Sequence, residues 1–107
     1  MATKKQLREI RHWRGTYREL WDYICELWTP EYTPYLKEGA LEDTAELHTW
    51  GESANEEIIN ALVHSDCPFV LMFVVKWEVG GHWYFKVPKQ LWDVRIHHEG
   101  DKDEQAG

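Results

Sequence analysis

Long hydrophobic runs and paired cysteines are both missing from this sequence. The longest apolar run spans seven residues, Phe69 to Val75, far below the ~20 that a membrane-spanning helix needs. The two cysteines, Cys25 and Cys67, are too few for the disulfide framework of a small secreted protein and favour a reducing compartment. We therefore expect a cytoplasmic protein that does not insert into a membrane.

Signature motifs of catalysis and metal binding are missing as well. The sequence contains no glycine-rich phosphate loop, no GxSxG, and neither the CxxC nor the HExxH spacing of zinc sites. The adjacent His97 and His98 would point to opposite faces of a strand, so they do not form a chelating pair. We expect no metal, no cofactor and no catalytic residue.

One short string nevertheless carries a catalytic pattern. The residues Gly80 to Trp83, with Asp93 further along, resemble the histidine box of papain-like and ubiquitin-like-protease cysteine peptidases. The resemblance implies a cysteine hydrolase in which His82 and Asp93 act with Cys25 or Cys67. Such a nucleophile is best activated at a helix N-terminus, and neither cysteine falls at one. The hydrolase is therefore the alternative to a binding function.

Charges of opposite sign are segregated along the chain, whose net charge is −7. Residues 1–18 hold six basic side chains and one acidic one, whereas residues 19–66 hold twelve acidic side chains and one basic one, Lys37. So many carboxylates would repel phosphates, which disfavours direct binding to DNA or RNA. The acidic block instead predicts a surface that recognises a basic partner. The alternative is that its carboxylates lie on solvated helix faces and serve only to keep the protein soluble.

The first 28 residues have the periodicity of a helix. Between Thr3 and Trp28 apolar residues recur every three or four positions. This continuous stripe favours one helix, kinked at Gly15, whereas Thr16 and Glu19 match a capping box that would start a second helix. We favour one long or kinked helix.

Proline and glycine divide the middle of the chain into shorter segments. Pro34 favours a short helical turn, and residues 40–50 have a helical distribution of apolar side chains ended by a glycine. Ser53 and Glu56 form a capping box in front of a helix over residues 54–65. The sequence thus predicts two shorter helices after the first.

The last third of the chain has the pattern of a sheet. Gly80 and Gly81 separate two strand-like runs and supply the positive φ of a two-residue hairpin turn, which pairs Trp77 with Tyr84. The run from Leu91 to His97 alternates apolar and polar residues and predicts a third strand. We predict an α+β fold in which N-terminal helices pack on a three-stranded antiparallel C-terminal sheet.

The order of these strands places the most hydrophobic one at a sheet edge. An apolar edge strand invites pairing with another strand, so we expect a homodimer or a stable complex with another protein. The alternatives are that an N-terminal segment covers the edge or that the third strand pairs with the first. The expected self-interface consists of Phe69, Leu71, Phe73 and Val75. We expect residues 1–98 to form one domain, followed by a disordered acidic tail over residues 99–107.

Two tyrosines, Tyr32 and Tyr35, lie in a proline-rich loop beside the acidic block, and tyrosine is a favoured interface anchor. The expected partner-binding residues are Tyr32, Tyr35, Glu42, Asp43, Glu46, Glu52, Glu56 and Glu57. We interpret the chain as a non-enzymatic protein that binds another protein with a basic surface. It would act as an inhibitor, adaptor or accessory factor of the kind found in phages and mobile elements. A self-assembling structural component is a further alternative.

Overall fold

The computed structural model describes residues 2–96, and the predicted tail over residues 99–107 lies outside this range. The predicted α+β class is confirmed, with four strands in place of three. In chain order the elements are α1 (Lys4–Arg11), α2 (Tyr17–Leu27), a 3₁₀ turn (Pro30–Tyr32), β1 (Tyr35–Lys37), β2 (Glu42–His48), α3 (Ser53–Val63), α4 (Phe69–Phe73), β3 (Val74–Glu78), β4 (His82–Pro88) and a second 3₁₀ turn (Lys89–Leu91). None of the described helices has the length and apolarity to cross a bilayer.

The N-terminal segment forms two helices, so the expectation of one long helix is wrong. The Thr16 hydroxyl accepts from the Glu19 N–H at 3.1 Å, and the Glu19 carboxylate accepts from the Thr16 N–H at 2.8 Å. This capping box starts α2. The bonds satisfy two backbone N–H donors that a break in the helix exposes. The chain therefore forms two helices, although its apolar stripe is continuous.

Residues 40–50 do not form the predicted helix, because most of them belong to strand β2. Burial alternates with a period of two, so that Asp43, Ala45 and Leu47 face the core. Several residues of β2 are good helix formers, yet pairing with β4 along all seven residues of β2 decides the structure. The helical turn predicted at Pro34 is likewise absent, since β1 begins at Tyr35.

The start of α3 also differs from its prediction. Ser53 is the first residue of the helix, and the N-cap position is taken by Glu52 without a side-chain cap bond. The preceding turn is closed instead by the Glu52 N–H, which donates to the Thr49 carbonyl at 2.9 Å.

The run from Phe69 to Phe73 is a short helix, α4, and not the beginning of a strand. Phe69 and Phe73 lie four residues apart, so one helical turn brings both rings into the core with their centroids 5.2 Å apart. Leu71 points away and is 85% exposed. Strand β3 therefore begins only at Val74.

The predicted hairpin is present, but its register differs by one residue. Gly80 and Gly81 adopt φ of +101° and +83°, as the turn requires. The strands close at Glu78 and His82, leaving three residues in the loop, so Trp77 pairs with Trp83 and not with Tyr84.

Residues 91–96, the described part of the predicted third strand over residues 91–97, do not form a strand. The first of these residues ends the 3₁₀ turn Lys89–Leu91, and an isolated bridge joins Arg95 to Thr16 at the start of α2. Strand β2, and not the predicted third strand, pairs with the side of β4 away from β3. The antiparallel order is β1-β2-β4-β3. Strand β3 thus lies at one edge of the sheet.

The core lies between the helices and one face of the sheet. Its completely buried large apolar side chains are Ile10, Leu20, Ile24, Leu47, Ile58, Phe69, Phe85 and Val87. The other face of the sheet, which we call the open face, carries the alternate residues of each strand. These are Tyr35, Lys37, Thr44, Glu46, His48, Lys76, Glu78, His82, Tyr84 and Lys86.

Candidate protein-binding surface

Five ring-bearing side chains meet where the end of β2, the first 3₁₀ turn and the β3–β4 hairpin come together. We call this cluster, which comprises Tyr32, His48, Trp50, His82 and Tyr84, the aromatic corner. His48, His82 and Tyr84 lie on the open face of the sheet, and Trp50 is the second residue after β2. Residues far apart in sequence are thus brought to one site by the β2–β4 pairing.

Trp50 is the central ring of the aromatic corner. Its ring centroid lies 4.9 Å from that of His82 in an edge-to-face arrangement, 5.9 Å from His48 and 6.2 Å from Tyr32. The residue is nevertheless 58% exposed. A large indole that contacts neighbouring rings and still has much of its surface exposed is suited to contact a partner.

The backbone of Trp50 is strained. Its φ is +51°, and it is the one non-glycine residue at positive φ among residues 2–96. With Gly51 at +75° it forms a turn in which both central residues are left-handed, as in type I′. A residue with a bulky side chain adopts this conformation at a cost of about 1–2 kcal/mol. Such strain is found most often at functional sites.

The Trp50 turn is fixed to the hairpin loop through Thr49. The Thr49 N–H donates to the Gly81 carbonyl at 2.9 Å, and the Thr49 side chain is buried. A Cβ at Gly81 would lie only 1.8 Å from Thr49 Oγ1, so glycine is required for this close approach. The contact holds the two loops of the aromatic corner together.

The two histidines of the corner form a directed chain of hydrogen bonds. His48 Nε2 lies 2.9 Å from Glu46 Oε1, and because a carboxylate only accepts, Nε2 must carry a hydrogen. In the neutral ring His48 Nδ1 is then an acceptor. It lies 2.7 Å from His82 Nδ1, so His82 is the donor. The chain runs from His82 through His48 to Glu46.

A second carboxylate borders the corner on the other side. The Tyr84 hydroxyl donates to Glu78 at 3.0 Å, and Lys76 lies 3.5 Å from the same carboxylate. The bond to Tyr84, and then the charge of Lys76, lower the pKa of Glu78, while the Glu78 bond raises the pKa of Tyr84. Glu78 is therefore an anion at neutral pH, held beside the aromatic rings.

Seven of the eight predicted partner-binding residues fall into three groups. Tyr32 and Glu46 belong to the aromatic corner or contact it, while Glu52, Glu56 and Glu57 are exposed around the start of α3. Tyr35 and Glu42 are exposed on other parts of the sheet, Tyr35 on β1 opposite Glu46.

Asp43 does not belong to a partner-binding surface, because its side chain is buried. Its carboxylate accepts from Lys89 Nζ at 2.7 Å, from Trp92 Nε1 at 2.8 Å and from the Gly39 N–H at 3.2 Å. The bond to Lys89 is the main cause that lowers the pKa of Asp43. This charge joins β2 to the C-terminal segment.

The cysteines and the histidine of the alternative hydrolase lie in surroundings that differ from those of an activated nucleophile and its base. Cys25 is half-buried and Cys67 buried, and burial raises the pKa of each thiol to about 11, so both are protonated at neutral pH. His82 is engaged by His48 and Trp50. Within residues 2–96 no cluster of three or more His, Cys, Asp and Glu side chains is arranged to hold a metal ion.

The expected self-interface is divided by the short helix. Phe69 and Phe73 are core residues and offer no surface, whereas Leu71 and Val75 are exposed. Two further exposed apolar residues lie on or next to the edge strand β3: Trp77, 66% exposed, and Val79, fully exposed.

No motif in the sequence identifies the aromatic corner. His48, Trp50 and His82 were not predicted as partners, because residues 40–50 have the composition of a helix. The one sequence signal that favours a strand and a turn there is an alternating run followed by Trp50-Gly51, the pair that adopts positive φ in the structure.

The chain matches no protein-family model, no curated protein and no solved structure. Its function must therefore be inferred from the chemistry of its own surfaces.

Proposed function

We propose that this protein acts by binding another protein, and that its aromatic corner receives an arginine or lysine side chain from a basic segment of that partner. The observation that carries the proposal is the exposed Trp50, held in a strained turn among Tyr32, His48 and His82. Anionic side chains, Glu46 among them, border these rings.

The rings provide the short-range part of the attraction. The face of an indole or phenol ring carries partial negative charge, so it attracts a guanidinium or ammonium group within about 6 Å by roughly 0.5–2 kcal/mol. The molecule already contains such contacts: Arg18 lies 4.6 Å from the ring of Trp92, and Lys76 lies 5.3 Å from the ring of Tyr84. Trp50 has more than half of its surface available for the same interaction.

The acidic side chains provide the long-range part. Glu52 follows Trp50 by two residues, and Glu56 and Glu57 are exposed on the next helical turn. Together with the net charge of −7 they favour the approach of a basic surface and repel an acidic one. Salt should weaken this attraction, since exposed charges are screened.

This activity is that of an inhibitor, adaptor or accessory factor, and it needs no catalytic group or cofactor. The two unpaired cysteines fit a reducing compartment such as the cytoplasm.

An array of peptides with basic, acidic and uncharged sequences tests the proposal. We expect the protein to select basic peptides, after which calorimetry on the best of them gives a dissociation constant. Replacement of Trp50 by alanine should raise this constant about tenfold, the equivalent of 1.4 kcal/mol.

Trp77→Ala is the matched control, because Trp77 has a similar exposure but lies on the opposite face of the sheet, at its β3 edge and away from the aromatic corner. It should leave the dissociation constant unchanged. Selection of acidic or uncharged peptides, or equal effects of the two substitutions, would contradict the proposal.

A further inference from the structure

The edge strand β3 borders the aromatic corner through Glu78, and its outer side is exposed. Among the described residues β3 pairs only with β4, so its other side presents unpaired backbone N–H and C=O groups. Val75, Trp77 and Val79 add exposed apolar area along it. Natural proteins usually protect such an edge from other strands.

A bulge and a lysine, two common protective features, are present on β3. The bulge lies between Val74 and Lys76, so the regular part of the strand begins at Lys76. Lys76 is followed two residues later by Glu78, and both point to the open face, while Trp77 lies on the core side and stacks on Trp83 at 5.8 Å. The charges on this edge are thus of opposite sign.

We propose that the partner of this edge is a second copy of the same chain, whose β3 pairs antiparallel with its own about a two-fold axis through Trp77. In this register Lys76 of each copy lies opposite Glu78 of the other, so two attractive cross-strand pairs form. The two Trp77 side chains meet on the core side, each already stacked on a Trp83. Val75 and Val79 lie at the ends of the shared ladder.

The charge pattern selects this register over its neighbours. A two-fold axis perpendicular to the sheet keeps each side chain on its own face, so the alternatives are centred on Lys76 or on Glu78. The first places two lysines opposite each other and the second places two glutamates opposite each other, and both are repulsive. The two charges therefore favour the register centred on Trp77 over both of its neighbours.

Sedimentation velocity of the full chain over a range of concentrations tests the dimer. We expect the wild type to change from monomer to dimer as concentration rises. Lys76→Glu and Glu78→Lys should each raise the dimer dissociation constant about tenfold or more, because each turns both attractive pairs into repulsive ones.

Mixing the two charge variants in equal amounts gives the most specific result. Each lysine-bearing edge then meets a glutamate-bearing edge, so a heterodimer should form where neither variant dimerises alone. The double variant Lys76→Glu with Glu78→Lys should likewise dimerise as the wild type does. Circular dichroism confirms that each variant is folded.

Glu42→Lys and Lys86→Glu are the controls, since both side chains are exposed and neither of their strands, β2 and β4, is the edge strand. They should leave the dimer dissociation constant unchanged. A wild type that stays monomeric at every concentration, or charge variants that dimerise as well as the wild type, would overturn the proposal.

Discussion

At the scale of single residues, Asp43 shows how a buried charge can be mistaken for a surface charge. Its place in the acidic block suggested a partner contact, yet its carboxylate binds Lys89, Trp92 and Gly39 within the molecule. Removing one member of such a buried set leaves the other groups without partners. The sequence shows only that the residue is charged, whereas its burial depends on the strand to which it belongs.

We predict that Asp43→Ala lowers the free energy of unfolding at pH 7 by roughly 2–4 kcal/mol, because the Trp92 N–H is left buried without an acceptor. The neighbouring Glu42→Ala, at an exposed position, should cost less than about 0.5 kcal/mol. Urea unfolding of both variants measures these values, and equal losses would contradict the assigned role.

The same contacts predict an acid dependence. The pKa of Asp43 is lower in the folded state than its unfolded value of about 3.9. Its contribution to stability is therefore complete above the unfolded pKa and is lost as pH falls through the folded pKa. Below about pH 4 the difference in unfolding free energy between wild type and Asp43→Ala should shrink, and a constant difference down to pH 2 would reject this linkage.

Gly81 matters because it has no side chain. We predict that Gly81→Ala lowers the free energy of unfolding by roughly 2–4 kcal/mol, since its methyl group would overlap Thr49 at a φ of +83°. Gly51→Ala is the control: its φ is +75° but nothing lies within 4 Å, so it should cost only the left-handed strain of about 1 kcal/mol. Thermal unfolding that ranks Gly51→Ala as the more damaging change would contradict this account.

At the scale of elements, some local signals matched the local contacts that form, although the capping box of Thr16 was not the favoured interpretation and the one predicted at Ser53 is absent. The helix that follows the capping box of Thr16 and the glycine turn of the hairpin were both visible in the sequence, because each depends on residues within a few positions. Strand β2 was not, since good helix formers became a strand only through pairing with β4, some forty residues away. The seven-residue apolar run was ambiguous between helix and strand, and the spacing of Phe69 and Phe73 decided it.

The candidate site was harder to predict than the fold for the same reason. The acidic block and Tyr32 were predicted as partner contacts from composition, whereas the rings that surround Trp50 come from three separate segments. Only the β2–β4 register places His48 opposite His82. A prediction that assigns β2 to a helix therefore cannot find the aromatic corner, however well it reads the charge.

At the scale of the whole molecule, the two proposals place a basic partner and a second copy of the chain on different parts of the surface. The exposed carboxylates at the start of α3 follow the turn that carries Trp50, whereas the proposed self-pairing edge is bounded by β3. A protein with these two surfaces can dimerise and still present two aromatic corners. Each copy would then bind one basic segment, and a partner with two such segments would gain avidity.

The long-range role of the acidic residues leads to a final prediction. Replacing Glu52, Glu56 and Glu57 together by lysine should weaken binding of a basic peptide at low salt by tenfold or more and flatten the dependence of the dissociation constant on salt. The control triple Asp22→Lys, Glu38→Lys and Asp93→Lys changes the net charge equally at exposed positions elsewhere. If calorimetry over a salt series gives the same loss for both triples, net charge alone attracts the partner. A larger loss for the first triple identifies the start of α3 as part of the binding surface.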